Sequence, residues 1–344
     1  MDSLTQIALG AATAEVVAGK KLGNKAIVWG AIAGTLPDLD VIFMPFIDSV
    51  QSISFHRGVS HSLFWISVAA PFIAWLVYRI YKNKEPQAGY GTWLALIWIA
   101  MFTHPLIDSL TTYGTQLFLP FSNWNFYYPS IFVADLAYTI PLLLGLFFAW
   151  RRLKTSRARR MFNYAGIAMS CLYLCFCFVN KMYINSVFEE ALWMQKKSYT
   201  RLITGPTPLN QILWYGVAEG DNGEYYLGMY SHLDKDTNIE FRTLYKNEEE
   251  VGNWEGTEAL EKLRWFSDDF YRVKALPGDT LAFFDLRFGS LNGLDQDTIY
   301  HPFKFKIFKD ESGKTEVLTL AGPQHAEVEM GEVASDLIDR IKGK

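Results

Sequence analysis

Cysteine is nearly missing from this 344-residue chain. Its three copies, Cys171, Cys175 and Cys177, all fall in one apolar run, which excludes a disulfide scaffold. Charge is scarce as well: 20% of residues are charged against 50% hydrophobic, and the 16% aromatic content excludes a disordered chain. Acids are sparse in the first half in particular. Residues 1–183 carry 8 acids and 14 bases, a net +6, whereas residues 184–344 carry 28 acids and 18 bases, a net −10. The start, MDSLTQ, has an acid and no basic segment, so no cleavable signal peptide is expected. The one dense basic stretch, residues 151–160, sits between apolar runs and does not suit a nucleic-acid-binding surface. Internal repeats and low-complexity tracts are absent from the sequence.

What is present is apolar length. Four segments, 59–80, 91–110, 129–150 and 162–183, reach the about 20 residues needed to cross a bilayer. Two shorter runs, 4–18 and 26–37, are rich in Gly and Ala, and small residues let helix backbones approach closely, so these read as a tight hairpin, spanning or re-entrant. The bases mark alternate loops: Lys20, Lys21 and Lys25; Arg79, Lys82 and Lys84; Arg151, Arg152, Lys154, Arg157, Arg159 and Arg160. These loops hold 12 of the 14 bases of this half, which makes them cytoplasmic and places the N-terminus, the 38–58 loop, the 111–128 loop and everything after residue 183 outside.

The second half reads as a soluble domain. Strand-like runs at 212–218, 224–231, 239–244, 280–287 and 303–308 are separated by turn signals such as Gly220-Asp221-Asn222-Gly223 and Pro277-Gly278-Asp279, and 257–266 reads as a helix among them. The expected architecture is therefore a polytopic α-helical membrane bundle with an N-terminal short helical hairpin (1–183). An amphipathic connector (184–204) and a mainly β, α+β extracytoplasmic domain (205–344) follow. His232, His301 and His325 scatter through that domain and carry no assigned role.

An ionisable residue inside a membrane segment is costly and so is a functional candidate by default. Asp38, Asp40, Asp108 and Asp135, with His56, His61 and His104, all fall at the outer ends of their segments, a placement that the basic loops were not chosen to produce. His104 and Asp108 are four residues apart and share a helix face. Asp38 and Asp40 start a loop after Pro37, and His56 and His61 flank Gly58, which permits a tight approach. Mixed imidazole and carboxylate ligation suits zinc, manganese or iron rather than calcium. The rival reading is a set of paired ions within a bundle, as in a proton- or metal-handling transporter.

At these residues the chain resembles the YdjM-type family of bacterial inner-membrane proteins, called membrane-bound metal-dependent hydrolases. The resembling stretches are MDSLTQIALGAA at 1–12, GTLPDLDV at 34–41, FHRGVSHSL at 55–63, THPLIDSLTTYGTQLFLPFS at 103–122 and DLAYTIPLL at 135–143. The family is distantly similar to zinc-dependent phospholipase C. That resemblance implies that Asp40 or Asp38, His56, and His104 with Asp108 hold a zinc. Two departures stand out. Gln6 occupies a place where many members carry His, and no second His-x-x-x-acid motif is found within residues 1–183, which leaves Asp135 as the downstream candidate ligand and implies one or two ions.

The expected function is hydrolysis of a phosphoester or lipid-linked ester at the outer membrane face, with the metal activating water. Asp38 or Asp40 would act as ligand or general base, and Arg57 would bind an anionic group or anchor the interface. Thr111 and Thr112 would orient ligands, and Trp124, Tyr127 and Tyr128 would form an interfacial aromatic belt. Ser60 and Ser62 lack the GxSxG setting of a serine nucleophile. A transporter using the same residues, or a membrane protein with a structural metal, are the alternatives.

Overall fold

The computed structural model describes residues 1–289, 303–320 and 330–343, so His301 and His325 lie outside the described residues. The chain divides into two compact units. The first comprises 1–46 and 55–178, and the second 47–54 and 179–344.

The first unit is helical. Helix α1 (Ser3–Leu22) is capped by Asp2, whose carboxylate accepts from the Leu4 and Thr5 amides, and it ends at Gly23 in a positive-φ conformation. Helix α2 (Asn24–Thr35) folds back against it. The closeness of this hairpin is set by glycine: a Cβ on Gly10 would meet the Gly30 carbonyl at 2.5 Å, and one on Gly34 would meet the Gln6 carbonyl at 2.7 Å. The expected tight pairing of the two short runs is thus present, but α1 extends beyond its run and α2 starts and ends two residues before its own. The chain continues from α2 as a 3-10 helix over Leu36–Phe46, so that Asn24–Phe46 forms one apolar stretch long enough to cross a membrane.

Helices α4 (Leu63–Tyr81), capped by Ser62, and α5 (Tyr90–Asp108) are the next two such stretches. Helix α6 (Leu136–Trp150) is shorter than the expected 129–150 span. Asp135 caps it by accepting from the Ala137 and Tyr138 amides, and the residues before it take part in a loop in which the Ser130 amide donates to the Leu110 carbonyl. Helix α7 (Arg157–Met194) is longer than the expected 162–183 and runs on through the 184–194 part of the expected connector. Among the described residues, four helical stretches are long and apolar enough to cross a membrane: Asn24–Phe46, α4, α5 and α7. In the first unit α1 packs on α2, α5 and α6, and α4 packs on α5.

The basic loops gather at one end of this unit. The Lys21 ammonium donates to Thr92 at 2.9 Å, Gln87 and Lys154 both donate to the Lys21 carbonyl, and Lys25 pairs with Glu85, holding that carboxyl below its usual range. Arg159 departs from the expected loop anchor. Its guanidinium is buried and binds both carboxylate oxygens of Glu15 at 2.6 Å, while also donating to Asn24 and to the Ala149 and Arg152 carbonyls.

Among the described residues, the second unit contains two four-stranded antiparallel sheets, each a simple meander: β1 (Arg201–Pro206), β2 (Leu213–Glu219), β3 (Glu224–Ser231) and β4 (Arg242–Tyr245), then β5 (Tyr271–Leu276), β6 (Thr280–Asp285), β7 (Lys304–Lys309) and β8 (Thr315–Thr319). The turn signals fall between β2 and β3 and between β5 and β6, where Gly278 and Asp279 take positive φ. Helix α8 (Glu258–Phe266) lies between the sheets in sequence and is capped by Thr257. Helix α9 (Met330–Ile341) follows β8. Buried aromatic rings, with Tyr271 stacked on Phe283 at 4.8 Å, fill the second sheet's core. A short helix, α3 (Ser49–Phe55), belongs to this unit through Ser54, and the Ser49 hydroxyl donates to Glu316.

Candidate metal centre

The end of the first unit away from the basic loops brings four ligand side chains together. His104 and Asp108 come from the last turns of α5, one above the other on its buried face. Asp38 comes from the 3-10 segment after α2, and His61 from the short 3-10 turn Val59–His61 before α4. Their ligand atoms all lie within 4.8 Å of one another. His61 Nε2 is 3.1 Å from His104 Nε2, 3.3 Å from Asp38 Oδ1 and 3.3 Å from Asp108 Oδ2. His104 Nε2 is 3.3 Å from Asp38 Oδ1 and 3.5 Å from Asp108 Oδ2. Ligands held about 2.1 Å from a tetrahedral ion stand about 3.4 Å apart along each edge. Five measured edges match that spacing.

The tautomers point the same way. His104 Nδ1 lies 2.6 Å from the Gly34 carbonyl, which can only accept, so Nδ1 carries the proton and Nε2 presents a lone pair inward. His61 Nδ1 lies 2.9 Å from the Ser60 hydroxyl, which leaves its Nε2 inward too. Two lone pairs face two carboxylates in a buried space; the protein cations there, the Arg57 guanidinium and the Met1 amino group, are ion-paired with Asp108 alone of the four, and Asp108 Oδ2 has no hydrogen-bond donor among the described residues. The donor set therefore fits a divalent metal ion, of unspecified identity.

Around these four lies a supporting layer. Asp40 Oδ1 is 2.9 Å from His56 Nδ1, and Asp40 Oδ2 accepts from Ser60 at 2.6 Å and stands 3.9 Å from His61 Nδ1. Both Asp40 and His56, expected as ligands, thus sit one step outside the cluster. Arg57 takes the left-handed backbone conformation at φ 59°, whereas Gly58 between the two histidines has a negative φ. The buried Arg57 guanidinium stacks over Tyr113 at 4.8 Å, donates to Thr111 and the Gly114 carbonyl, and brings Nε to 3.5 Å from Asp108 Oδ2. Asp135 is not part of the cluster. Its carboxylate caps α6 and accepts from the Tyr173 hydroxyl at 2.8 Å.

Sequence reasoning passed over one site neighbour. Gln6, noted only as standing in place of a histidine, donates through Nε2 to Asp108 Oδ1 at 2.9 Å and to the His104 carbonyl at 3.3 Å, and its Oε1 is buried without a donor among the described residues. The Met1 amino group also contacts Asp108 Oδ1. The position of Gln6 in the first turns of a Gly- and Ala-rich helix was the available signal.

A helical membrane protein with a His–Asp cluster at one end is what the fold and site define, and the chain belongs to the YdjM inner membrane protein family, whose profile matches residues 1–184. Two relatives add detail. The Bacillus subtilis (strain 168) protein named "Uncharacterized protein YfhP" is 32% identical over 156 residues, covering 40% of this chain and 45% of the relative. The Escherichia coli (strain K12) protein named "Inner membrane protein YbcI" is 31% identical over 135 residues, covering 36% of this chain and 75% of the relative. The match to YfhP thus spans less than half of that relative's length. No solved structure matches the chain.

Proposed function

We propose that the protein is a metal-dependent hydrolase of phosphoesters or lipid-linked esters, with its site at the outer face of the inner membrane and its C-terminal unit on that same side. The observation that carries the reading is the convergence of Asp38, His61, His104 and Asp108 at tetrahedral spacing. Support for the outer face comes from the basic loops tied together at the opposite end, which the positive-inside rule assigns to the cytoplasm. Support for the inner membrane comes from the family.

Asp38, His61, His104 and Asp108 would hold a divalent ion such as zinc, whose chemistry there would be Lewis acidity toward a phosphoryl or acyl oxygen and activation of water. The protein's own groups do the rest. Asp40 fixes His56 through Nδ1 and leaves His56 Nε2 to exchange a proton with water or the leaving group. Arg57 holds Asp108 and the turn carrying Thr111 and Gly114, and so acts on the reaction by positioning. Asp38 marks the approach: its side chain is 22% exposed, against 1% for Asp108 and 0% for each histidine.

A second reading also has an observation in its favour. Four protein ligands close a tetrahedral ion, and closed sites are the structural kind. In that reading the ion staples α2, α4 and α5 and no ester is cleaved. Elemental analysis of the purified chain, with hydrolysis assays on phosphoester and lipid ester substrates, separates the two. Metal with hydrolysis, both lost in His104→Ala and Asp108→Ala, supports the enzyme. Metal without hydrolysis supports the staple, and a metal-free wild type overturns both. A reporter fused to the C-terminus that reads cytoplasmic overturns the outer-face placement.

A further inference from the structure

Beside the metal cluster lies a groove of about 420 Å³. Its lining comes from three consecutive pieces of the first unit: Leu36 and Pro37 before the ligand Asp38, Val59 and Ser60 before the ligand His61, and the face of α4 from Trp65 through Ala69 to Ile73, with Met101 of α5 at its floor. One end therefore touches the residues that hold the cluster. The other end runs away from it along α4, eight residues or about 12 Å of helix.

Two properties distinguish the ends. Nine of the ten lining side chains are apolar, and the exception, Ser60, sits at the cluster end, where its hydroxyl bridges Asp40 and His61. The α4 end lies within one membrane-length helix and against another. Trp65 and Val68 are exposed on the protein surface there, so the groove opens sideways into what is hydrocarbon when α4 and α5 span a bilayer. Ala69 makes the depression. A larger residue at its place, half-buried between Trp65 and Ile73, would fill the channel midway. The volume lies within the range of about 300–1,000 Å³ seen for small-molecule sites.

We propose that this groove is the subsite for one hydrocarbon chain of an amphiphilic ester or phosphoester, which enters laterally from the bilayer and presents its polar head to Asp38 and His61. The identity of the head group rests on the hydrolase reading; the seat of the chain does not. A polar solute would find few partners along α4: the Ser60 hydroxyl already bridges Asp40 and His61, and the Trp65 indole N–H is the one other side-chain donor in the lining. A chain of methylenes needs none, and it places its head at the one polar end.

The test uses the full-length protein in lipid nanodiscs and a long-chain alkyl phosphate bearing a diazirine near the chain terminus. After irradiation, peptide mass spectrometry is expected to find label on the α4 face between Trp65 and Ile73 and on Met101. Ala69→Trp is expected to cut that label about tenfold, whereas Leu144→Trp, on an exposed face of α6, leaves it intact. Excess unlabelled alkyl phosphate is expected to compete, and glycerol phosphate, which has no chain, is not. Should Ala69→Trp fail to fold, Ile73→Trp blocks the far end one turn further on and reads the same loss. Label spread evenly over α4 and α6, label indifferent to these substitutions, or a cross-link to a second protein in the groove overturns the proposal. Specific groove labelling on a protein that hydrolyses nothing leaves the groove standing and removes the hydrolase. Hydrolysis of a lipid ester with no groove labelling does the reverse.

Discussion

The imidazoles of His61 and His104 face each other through their Nε2 atoms, 3.1 Å apart, with each Nδ1 turned outward to a protein oxygen. Neutral rings so arranged cannot hydrogen-bond to each other, since both facing atoms are acceptors. The arrangement makes sense around a cation, and it shifts attention from the ligands to the atoms behind them.

Ser60 is the testable one of those atoms. Its hydroxyl holds His61 Nδ1 and Asp40 together. Ser60→Ala is expected to lower metal affinity by about 10–100-fold, the usual cost of removing an outer partner of a ligating histidine. Competition against a chelator of known affinity measures it. Unchanged affinity would show that His61 keeps its tautomer without the serine.

The buried Glu15–Arg159 pair gives a prediction about stability. Both carboxylate oxygens are engaged, and the guanidinium finds three further oxygen acceptors, so the pair is satisfied only as a whole. Arg159→Met strands a buried carboxylate and is expected to cost about 3–5 kcal/mol. The double variant Glu15→Leu with Arg159→Met is expected to recover most of that loss. Chemical unfolding in detergent, followed by the helical circular dichroism signal, compares the three proteins. A single variant as stable as the parent would show that the pair contributes nothing.

His232 of the second unit supplies a pH prediction. Burial pushes its imidazole below the usual value of 6.5. Its Nε2 donates to Asn180 Oδ1 at 2.7 Å, and its ring stacks on Tyr183. The folded state then binds fewer protons than the unfolded one, so this contribution to stability is full above pH 6.5 and is lost as pH falls through the lower folded-state value. His232→Gln is expected to flatten the fall of melting temperature below pH 6.5 in thermal unfolding of the full-length chain. A profile of the same slope in both proteins would assign the acid sensitivity elsewhere.

Much of this molecule was legible in its sequence wherever the signal is local. The i, i+4 spacing of His104 and Asp108 is a property of any helix, and the 224–231 strand and the helix capped by Thr257 follow from period and cap alone. Naming Asp38, His61, His104 and Asp108 among the candidate ligands was also within reach. A place at a segment end does not fix lateral position, however. Asp135 lies at a segment end as the others do but caps α6 beside Tyr173, and nothing short of helix packing distinguishes that from ligation. Strands β1, β5 and β8 escaped because their residues, such as Tyr271-Arg272-Val273-Lys274, mix charge into the alternation, and only pairing with a neighbour makes them strands. Arg159 was misjudged for a related reason: a base in a basic run looks solvated until its partner, 144 residues away, is brought beside it.

Gly34 joins two matters usually treated apart. Its missing side chain lets α2 lie against α1, and its carbonyl chooses which nitrogen of His104 bears the proton. The interhelical gap is thereby a ruler for the coordination sphere. Whatever widens that gap, whether a methyl group or a change in the thickness of the surrounding bilayer, will register as a change in the electronic spectrum of a bound cobalt probe before it registers as unfolding.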